Sequence, residues 1–166
     1  MIESKFRRAV SYFKKAFWHI SFSIKVLYPS YTNAFYNLGC DKSELEEHQE
    51  AIYAFSKVIE IDPLDKAAFY NRGNSKESIN DLEGAIEDYS KAIELDKNYA
   101  RCYVNRGITR KQIGDLIGAV KDYSDAIEID PNLSTAYSNR ALIHQENDKF
   151  DLAINDLEKA IEIDPE

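Results

Sequence analysis

A period of 34 residues dominates this sequence of 166 residues. The clearest sets at that step are Gly39, Gly73, Gly107 and Ala141, then Ala51, Ala85, Ala119 and Ala153, and then Pro63, Lys97, Pro131 and Pro165. Periods of about 20 to 50 residues are typical of stacked repeats, in which each unit buries its apolar faces against its neighbours. We therefore divide the chain into an N-terminal segment and four units, which span residues 1–31, 32–65, 66–99, 100–133 and 134–166.

Each unit predicts a pair of helices. Residues 66–78 and 82–95 of unit 2 place apolar or small residues at helical spacing. Asp-Pro sequences follow the second segment of three units, and proline disfavours helical geometry in the residue before it. The chain has only 6 Gly and 4 Pro residues, too few for the turns of an all-β fold. The predicted fold class is all-α.

The motif residues resemble those of the tetratricopeptide repeat family over residues 32–166. In unit 3 they are Tyr103, Gly107, Ala119, Tyr123, Ala126 and Pro131. The resemblance implies a right-handed superhelical solenoid of antiparallel helix pairs, with the first helix of each unit on the concave side. It also implies a non-catalytic scaffold or adaptor that binds an extended peptide segment of a partner protein in that groove.

An asparagine recurs in the first helix of every unit, although Asn is a poor helix former. An amide side chain offers a donor and an acceptor together, so it can bind a peptide group. The candidate groove residues are Asn37, Asn71, Asn74, Arg101, Asn105, Ile108, Asn139, Tyr36 and Tyr70. The alternative is that these asparagines form hydrogen bonds between adjacent helices of the stack.

Some members of this family hold the C-terminal carboxylate of a chaperone with Lys, Arg and Asn side chains. On units 1 to 3 the corresponding positions are Tyr36, Cys40, Asn71, Arg101 and Asn105. Because a carboxylate needs several fixed cations to offset its desolvation, we predict no such clamp here.

An arginine and an aspartate occur together 16 residues apart in units 2, 3 and 4. The pairs are Arg72 with Asp88, Arg106 with Asp122 and Arg140 with Asp156. Unit 1 has Leu38 and Ala54 in their places. This joint presence and absence predicts an ion pair between the two helices of a unit, worth about 1 kcal/mol or less if it is partly exposed.

The charges argue against several classes of function. The net charge is −8 and the pI about 5.0, which argues against the broad phosphate-binding surface that a nucleic-acid partner needs. The acidic residues recur with the period, whereas a catalytic pair would be unique, and the three histidines have no metal-ligand spacing. We therefore expect no enzyme activity, no metal and no cofactor. The 2 cysteines indicate a reducing, cytoplasmic location.

Residues 1–31 carry a net charge of +5, whereas the rest of the chain carries −13. Their apolar residues predict one helix with a continuous seam formed by Phe6, Val10, Phe13, Phe17, Ile20, Ile24 and Leu27. We favour a cap or degenerate repeat, because a stack needs its first apolar face covered. The alternative is a basic amphipathic helix on an anionic membrane.

At the other end, no sequence after Glu166 covers Ile154, Leu157 and Ile161. We expect either a longer protein or pairing with another copy. The second candidate function is therefore a structural assembly module that forms a homo-oligomer through its end faces or its N-terminal helix.

Overall fold

The structure is a computed structural model that describes residues 29–165 of the chain. All regular secondary structure in this range is helical. The helices are α1 Pro29–Glu44, α2 His48–Ile61, α3 Lys66–Ser78, α4 Leu82–Leu95, α5 Ala100–Gln112, α6 Leu116–Ile129, α7 Ser134–Glu146 and α8 Phe150–Ile163. Each helix packs on the next along the chain. The all-α repeat solenoid is confirmed, as are the helices expected at residues 66–78 and 82–95, while the hand of the superhelix stays a prediction.

The structure does not address every expectation about the chain ends. The N-terminal helix, with its roles as a cap or a membrane-binding segment, lies outside the described residues. Helix α1 begins at Pro29, three residues before the boundary predicted for unit 1. Across residues 29–165, no helix combines the length and the apolar character needed to cross a bilayer.

Aspartate side chains fix the N-terminal ends of several helices. The carboxylate of Asp65 accepts hydrogen bonds from the amides of Ala67 and Ala68 at 2.9 and 3.0 Å, which starts α3. Asp115 accepts from the Gly118 amide at 2.9 Å, and a Cβ added at Gly118 would lie 2.1 Å from Asp115 Oδ2. Gly118 therefore serves a helix cap.

The turn inside every unit contains one residue in the left-handed region. The four are Glu46, Asn80, Gly114 and Asp148, with φ of 59°, 63°, 85° and 57°. They occupy the same place in the 34-residue period. Only glycine adopts this conformation without a steric penalty, so the turn geometry is imposed by the packing of the helices on either side.

Inside each unit, a small residue of the first helix faces a large side chain of the second. An added Cβ would lie 2.6 to 2.7 Å from the ring in the pairs Gly39 with Phe55, Gly73 with Tyr89 and Gly107 with Tyr123. In unit 4 the equivalent pair is Ala141 with Leu157. Unit 4 thus has Ala in place of Gly on its first helix and Leu in place of an aromatic residue on its second helix.

The predicted ion pairs are confirmed, and they are buried. In unit 3, Arg106 donates from Nε and Nη2 to the two carboxylate oxygens of Asp122 at 2.9 and 2.7 Å. The same two bonds join Arg72 to Asp88 and Arg140 to Asp156. Asp122 is 0% exposed, so these pairs are interior features and the sequence-based figure for a partly exposed pair does not apply.

Each arginine also reaches back to the preceding unit. The Nη1 atom donates to a serine hydroxyl at 2.9 to 3.0 Å in the pairs Arg72 with Ser56, Arg106 with Ser90 and Arg140 with Ser124. The guanidinium also lies over the ring of Phe69, Tyr103 or Tyr137. One side chain therefore joins three helices at every junction between units.

The concave side follows from which helices touch. Among the described helices, the first helices of consecutive units are in contact, whereas consecutive second helices are not. The stack therefore curves with α1, α3, α5 and α7 on its inner side. This places the candidate asparagines on the inner helices.

Candidate functional site

The asparagine row is not uniform. Asn37 is exposed, whereas Asn71, Asn105 and Asn139 are half-buried. Asn139 donates from Nδ2 to the carbonyl of Thr135 at 2.9 Å, within its own helix. The four residues share a place in the period but differ in their environment.

The middle two asparagines link adjacent inner helices. Asn71 donates from Nδ2 to the hydroxyl of Tyr36 at 2.8 Å, and Asn105 donates to that of Tyr70 at 3.0 Å. The alternative of hydrogen bonds between adjacent helices is therefore confirmed for these two residues. Both bonds use the amide nitrogen, so Oδ1 is the atom that can accept a further bond on the groove side.

Asn105 belongs to a longer polar chain. Its Nδ2 also donates to Asn74 Oδ1 at 2.9 Å, and Asn74 Oδ1 lies 2.8 Å from the hydroxyl of Tyr89. This chain joins α3, α4 and α5 and fixes the orientation of both amides. Asn74 is therefore a supporting member of the row.

The two candidate tyrosines are held by ring contacts. Tyr36 packs edge-on against Phe55 at 5.7 Å between ring centroids, and Tyr70 lies 5.0 Å from Tyr99. Burial raises the pKa of Tyr36, and it raises the pKa of Tyr99, the ring neighbour of Tyr70, to about 12. The phenols of Tyr36 and Tyr99 therefore stay protonated at neutral pH. The rings of Tyr36 and Tyr70 are fixed by these contacts, and the Tyr36 hydroxyl, which accepts from Asn71, keeps its proton to donate to a ligand.

A cavity of about 320 Å³ lies on the inner side between α3, α5 and α7. It brings together three of the candidates, Tyr70, Arg101 and Asn105. The remaining lining residues are Val104, Asn132, Leu133, Ser134 and Thr135. The cavity thus combines an apolar floor with a cation, amides and hydroxyls, which is the composition of a site for a peptide side chain and its backbone.

Arg101 differs from the other arginines of units 2 to 4. It is exposed and forms no ion pair with any residue that the structure describes, whereas Arg106 is bound to Asp122. A cation without an internal partner can take a ligand carbonyl or carboxylate without breaking a bond of the fold.

The other candidates lie outside this cavity. Ile108 is half-buried and packs against the core cluster of units 3 and 4. Asn37 and Asn139 belong to the first and last inner helices, on either side of the cavity's centre. A larger depression of about 870 Å³, lined by Lys97, Tyr103, Asp125 and Glu128 among others, includes none of the candidates.

Sequence reasoning missed the loop that closes the cavity. Asn132 and Leu133 lie between α6 and α7, directly after Pro131, and Ser134 is the first residue of α7. The signal was present, because a segment that leads from an outer helix to an inner one must pass the rim of the groove.

The cysteines show no sign of a reactive site. Burial raises the pKa of Cys102 to about 12 and also raises that of Cys40. Within residues 29–165, no three His, Cys, Asp or Glu side chains are grouped so as to hold a metal ion.

Models of one repeat family match most of the sequence. Two models described as tetratricopeptide repeat match residues 32–63 and 134–166, and one described as TPR repeat matches residues 78–114 and 109–148. No curated protein matches the chain in sequence.

Several solved structures share the fold. The crystal structure of MamA has a TM-score of 0.79 at 24% identity, over 86% of this chain and 84% of that one. MamA 41-end from Desulfovibrio magneticus RS-1 has a TM-score of 0.74 at 19% identity, over 81% and 76%. The first TPR of Spaghetti (RPAP3), bound to the HSP90 peptide SRMEEVD, has a TM-score of 0.69 at 24% identity, over 72% and 94%. At these identities the likeness shows the fold alone.

Proposed function

Since the chain belongs to the tetratricopeptide repeat family, we propose that it is a non-catalytic scaffold that binds an extended peptide segment of a partner protein in its concave groove. The observation that carries this proposal is the cavity in which Tyr70, Arg101 and Asn105 meet. A cytoplasmic location, and a protein or peptide partner in place of a nucleic acid, belong to the same proposal.

The amide chain suggests how a peptide backbone is held. Asn105 Nδ2 is occupied by Tyr70 and Asn74, which orients Oδ1 to accept a peptide N–H. Inner helices follow one another at steps of at least about 8 to 10 Å, and an extended strand rises about 3.3 Å per residue. The inner helices would therefore contact roughly every third residue of the ligand.

The candidate residues divide into two roles under this proposal. Arg101 contacts the ligand directly, and the exposed Asn37 can do so because it carries no other bond among the described residues. Asn71, Asn105, Tyr36 and Tyr70 both support the stack and present acceptors. Asn74 only supports the stack, because its Oδ1 already accepts from Asn105 and Tyr89. Asn139 and Ile108 extend the surface toward α7.

The test begins with the full chain and a library of random linear peptides. A selected peptide is labelled, and its dissociation constant is measured by fluorescence anisotropy. We expect Arg101→Ala to weaken binding about tenfold or more, since a charge-assisted hydrogen bond is worth about 1.5 to 3 kcal/mol. The melting temperature should not change, because this side chain has no ion pair in the fold. Lys121→Ala, a cation on the outer helix α6, is the matched control and should bind like the unaltered chain.

Asn71→Ala alone would not be decisive, because it also removes the bond to Tyr36. Asn37→Ala is the cleaner asparagine variant. Equal affinities for the unaltered chain, Arg101→Ala and Asn37→Ala would contradict groove binding, as would a selected peptide that protects only the outer helices from hydrogen exchange.

A further inference from the structure

The row of bonds between inner helices is broken at one junction. The hydroxyl of Tyr36 accepts from Asn71 at 2.8 Å, and that of Tyr70 accepts from Asn105 at 3.0 Å. At the next step of the period the tyrosine is replaced by Val104, whose side chain has no hydrogen-bonding atom. The third bond of the row therefore cannot form.

Asn139 is the residue that this third bond would use. It occupies the place of Asn71 and Asn105 in unit 4, but its Nδ2 donates to the Thr135 carbonyl of its own helix. An amide nitrogen carries two donor hydrogens, and the second one of Asn139 has no partner among residues 29–165. One donor is therefore left over at the junction of units 3 and 4.

The same junction also lacks an aromatic pair. Between units 2 and 3, the ring of Tyr70 lies 5.0 Å from that of Tyr99. One period later these places hold Val104 and Leu133, and both line the inner cavity of about 320 Å³. The cavity therefore corresponds to space that two rings occupy one junction earlier.

We propose that this cavity binds a tyrosine side chain of the partner peptide. The ring packs against Val104 and Leu133, and the phenol hydroxyl accepts from the second N–H of Asn139. The ligand thus replaces the tyrosine that the row lacks at residue 104. This inference rests on the proposed peptide binding and names the class of peptide.

The chemistry of the cavity favours tyrosine over other apolar side chains. Phenylalanine would fill the same space but leave the Asn139 donor without a partner. Leucine would leave the donor unpaired and part of the cavity empty as well. Tyrosine is the side chain that satisfies both the space and the donor.

A carboxylate near the tyrosine complements the charge of the site. Arg101 lines the same cavity, is exposed and forms no ion pair with any residue that the structure describes. An Asp or Glu side chain next to the tyrosine can therefore form a charge-assisted hydrogen bond with its guanidinium group. The expected ligand is an acidic peptide segment that contains a tyrosine.

The experiment is a selection of random nonapeptides on the immobilised full chain, with sequencing before and after selection. We expect tyrosine to be enriched about fivefold or more at one position, since burial of the ring and the bond to Asn139 both favour it. Val104→Tyr should abolish this enrichment, because the ring of the chain itself then fills the cavity. Units 1 and 2 already carry tyrosine at this place, so the variant is compatible with the fold. Ile113→Tyr, at a 44% exposed residue outside the cavity, is the matched control and should keep the enrichment.

A second measurement tests the hydrogen bond and needs no substitution in the core. Fluorescence anisotropy gives the dissociation constants of a selected peptide and of its form with phenylalanine in place of tyrosine. On the unaltered chain the phenylalanine form should bind about fivefold more weakly, because it lacks one neutral hydrogen bond. On Asn139→Ala the two forms should bind equally, whereas Lys121→Ala, on the outer helix α6, should keep the difference.

The outcomes separate the tyrosine site from groove binding. Selected peptides that lack tyrosine but lose affinity on Arg101→Ala would overturn the tyrosine site and leave groove binding in place. Equal tyrosine enrichment on the unaltered chain and Val104→Tyr would overturn it too, as would an equal ratio of the two dissociation constants on the unaltered chain and Asn139→Ala. Selected peptides that bind Arg101→Ala and Asn37→Ala with unchanged affinity would contradict the proposed function, and the tyrosine site with it.

Discussion

Substitution of the buried carboxylate in unit 3 tests the account of the junctions most directly. Asp122 is 0% exposed and accepts hydrogen bonds from Arg106 at 2.7 and 2.9 Å and from Arg110 at 2.8 Å. Breaking a buried pair by removing one partner costs about 3 to 5 kcal/mol. Arg106 keeps its bond to Ser90 and its place over the Tyr103 ring, so we expect about 3 kcal/mol for Asp122→Ala.

The chain itself supplies the rescue. Unit 1 has Leu38 and Ala54 where unit 3 has Arg106 and Asp122. Replacing a buried ion pair by apolar residues is often close to neutral. We therefore expect Arg106→Leu alone to cost about 2 kcal/mol, because Asp122 loses its main partner, and the double variant to cost less than either single one.

The assay is urea unfolding of the four proteins, followed by far-UV circular dichroism. Residues in contact typically show coupling energies of about 0.5 to 3 kcal/mol, and the upper half of that range is expected here. Asp125→Ala is the matched control, since Asp125 pairs with the exposed Lys121, and it should leave the midpoint unchanged. Additive costs for the two substitutions would refute the reasoning.

Three further outcomes follow from single residues. Tyr89→Phe should lower the free energy of unfolding by about 1 kcal/mol, because it removes a hydroxyl bonded to Asn74. Tyr123→Phe should leave the free energy of unfolding unchanged, because the Tyr123 hydroxyl is buried without a partner among the described residues. Urea unfolding measures both values. Glu46→Gly should raise the melting temperature, since it relieves a φ of 59° worth about 1 kcal/mol, and an unchanged melting temperature would contradict this. Burial lowers the pKa of His144; the charge of Asp156 opposes this shift, and that of Arg140 adds to it. Neutral His144 therefore contributes stability above about pH 6.5, and this contribution falls as the pH drops below that value. The unfolding midpoint of His144→Gln should depend less on pH than that of the unaltered chain.

Most of the fold could be predicted from the 34-residue period of the sequence. Because the same residues recur at each step, the helix bounds of unit 2 and the pairing of Arg106 with Asp122 could be inferred before the structure. The burial of that pair could not be inferred, since a repeat period gives the spacing of residues along the chain but not their exposure to solvent. The serine contact was also missed, because Ser90 lies in the preceding unit and has no partner within its own 34 residues.

The candidate groove was predicted less completely. The inner position of Asn71 and Asn105 follows from the period, but their bonds to Tyr36 and Tyr70 depend on the distance between consecutive inner helices. Leu133 was missed because loop residues have no helical spacing. Only the structure shows that Arg101, unlike Arg106, forms no ion pair with a described residue.

The contact pattern of the helices gives the stack a mechanical asymmetry. Consecutive inner helices touch, whereas consecutive described outer helices do not, so the bonds of Asn71 and Asn105 resist any bending that widens the groove, as straps under tension would. Bending in the opposite direction presses the inner helices, which already touch, against one another and widens the gaps between the outer helices. Two different interactions therefore set the resting curvature: the hydrogen bonds of two amides oppose opening of the groove, and steric contact between inner helices opposes its closure.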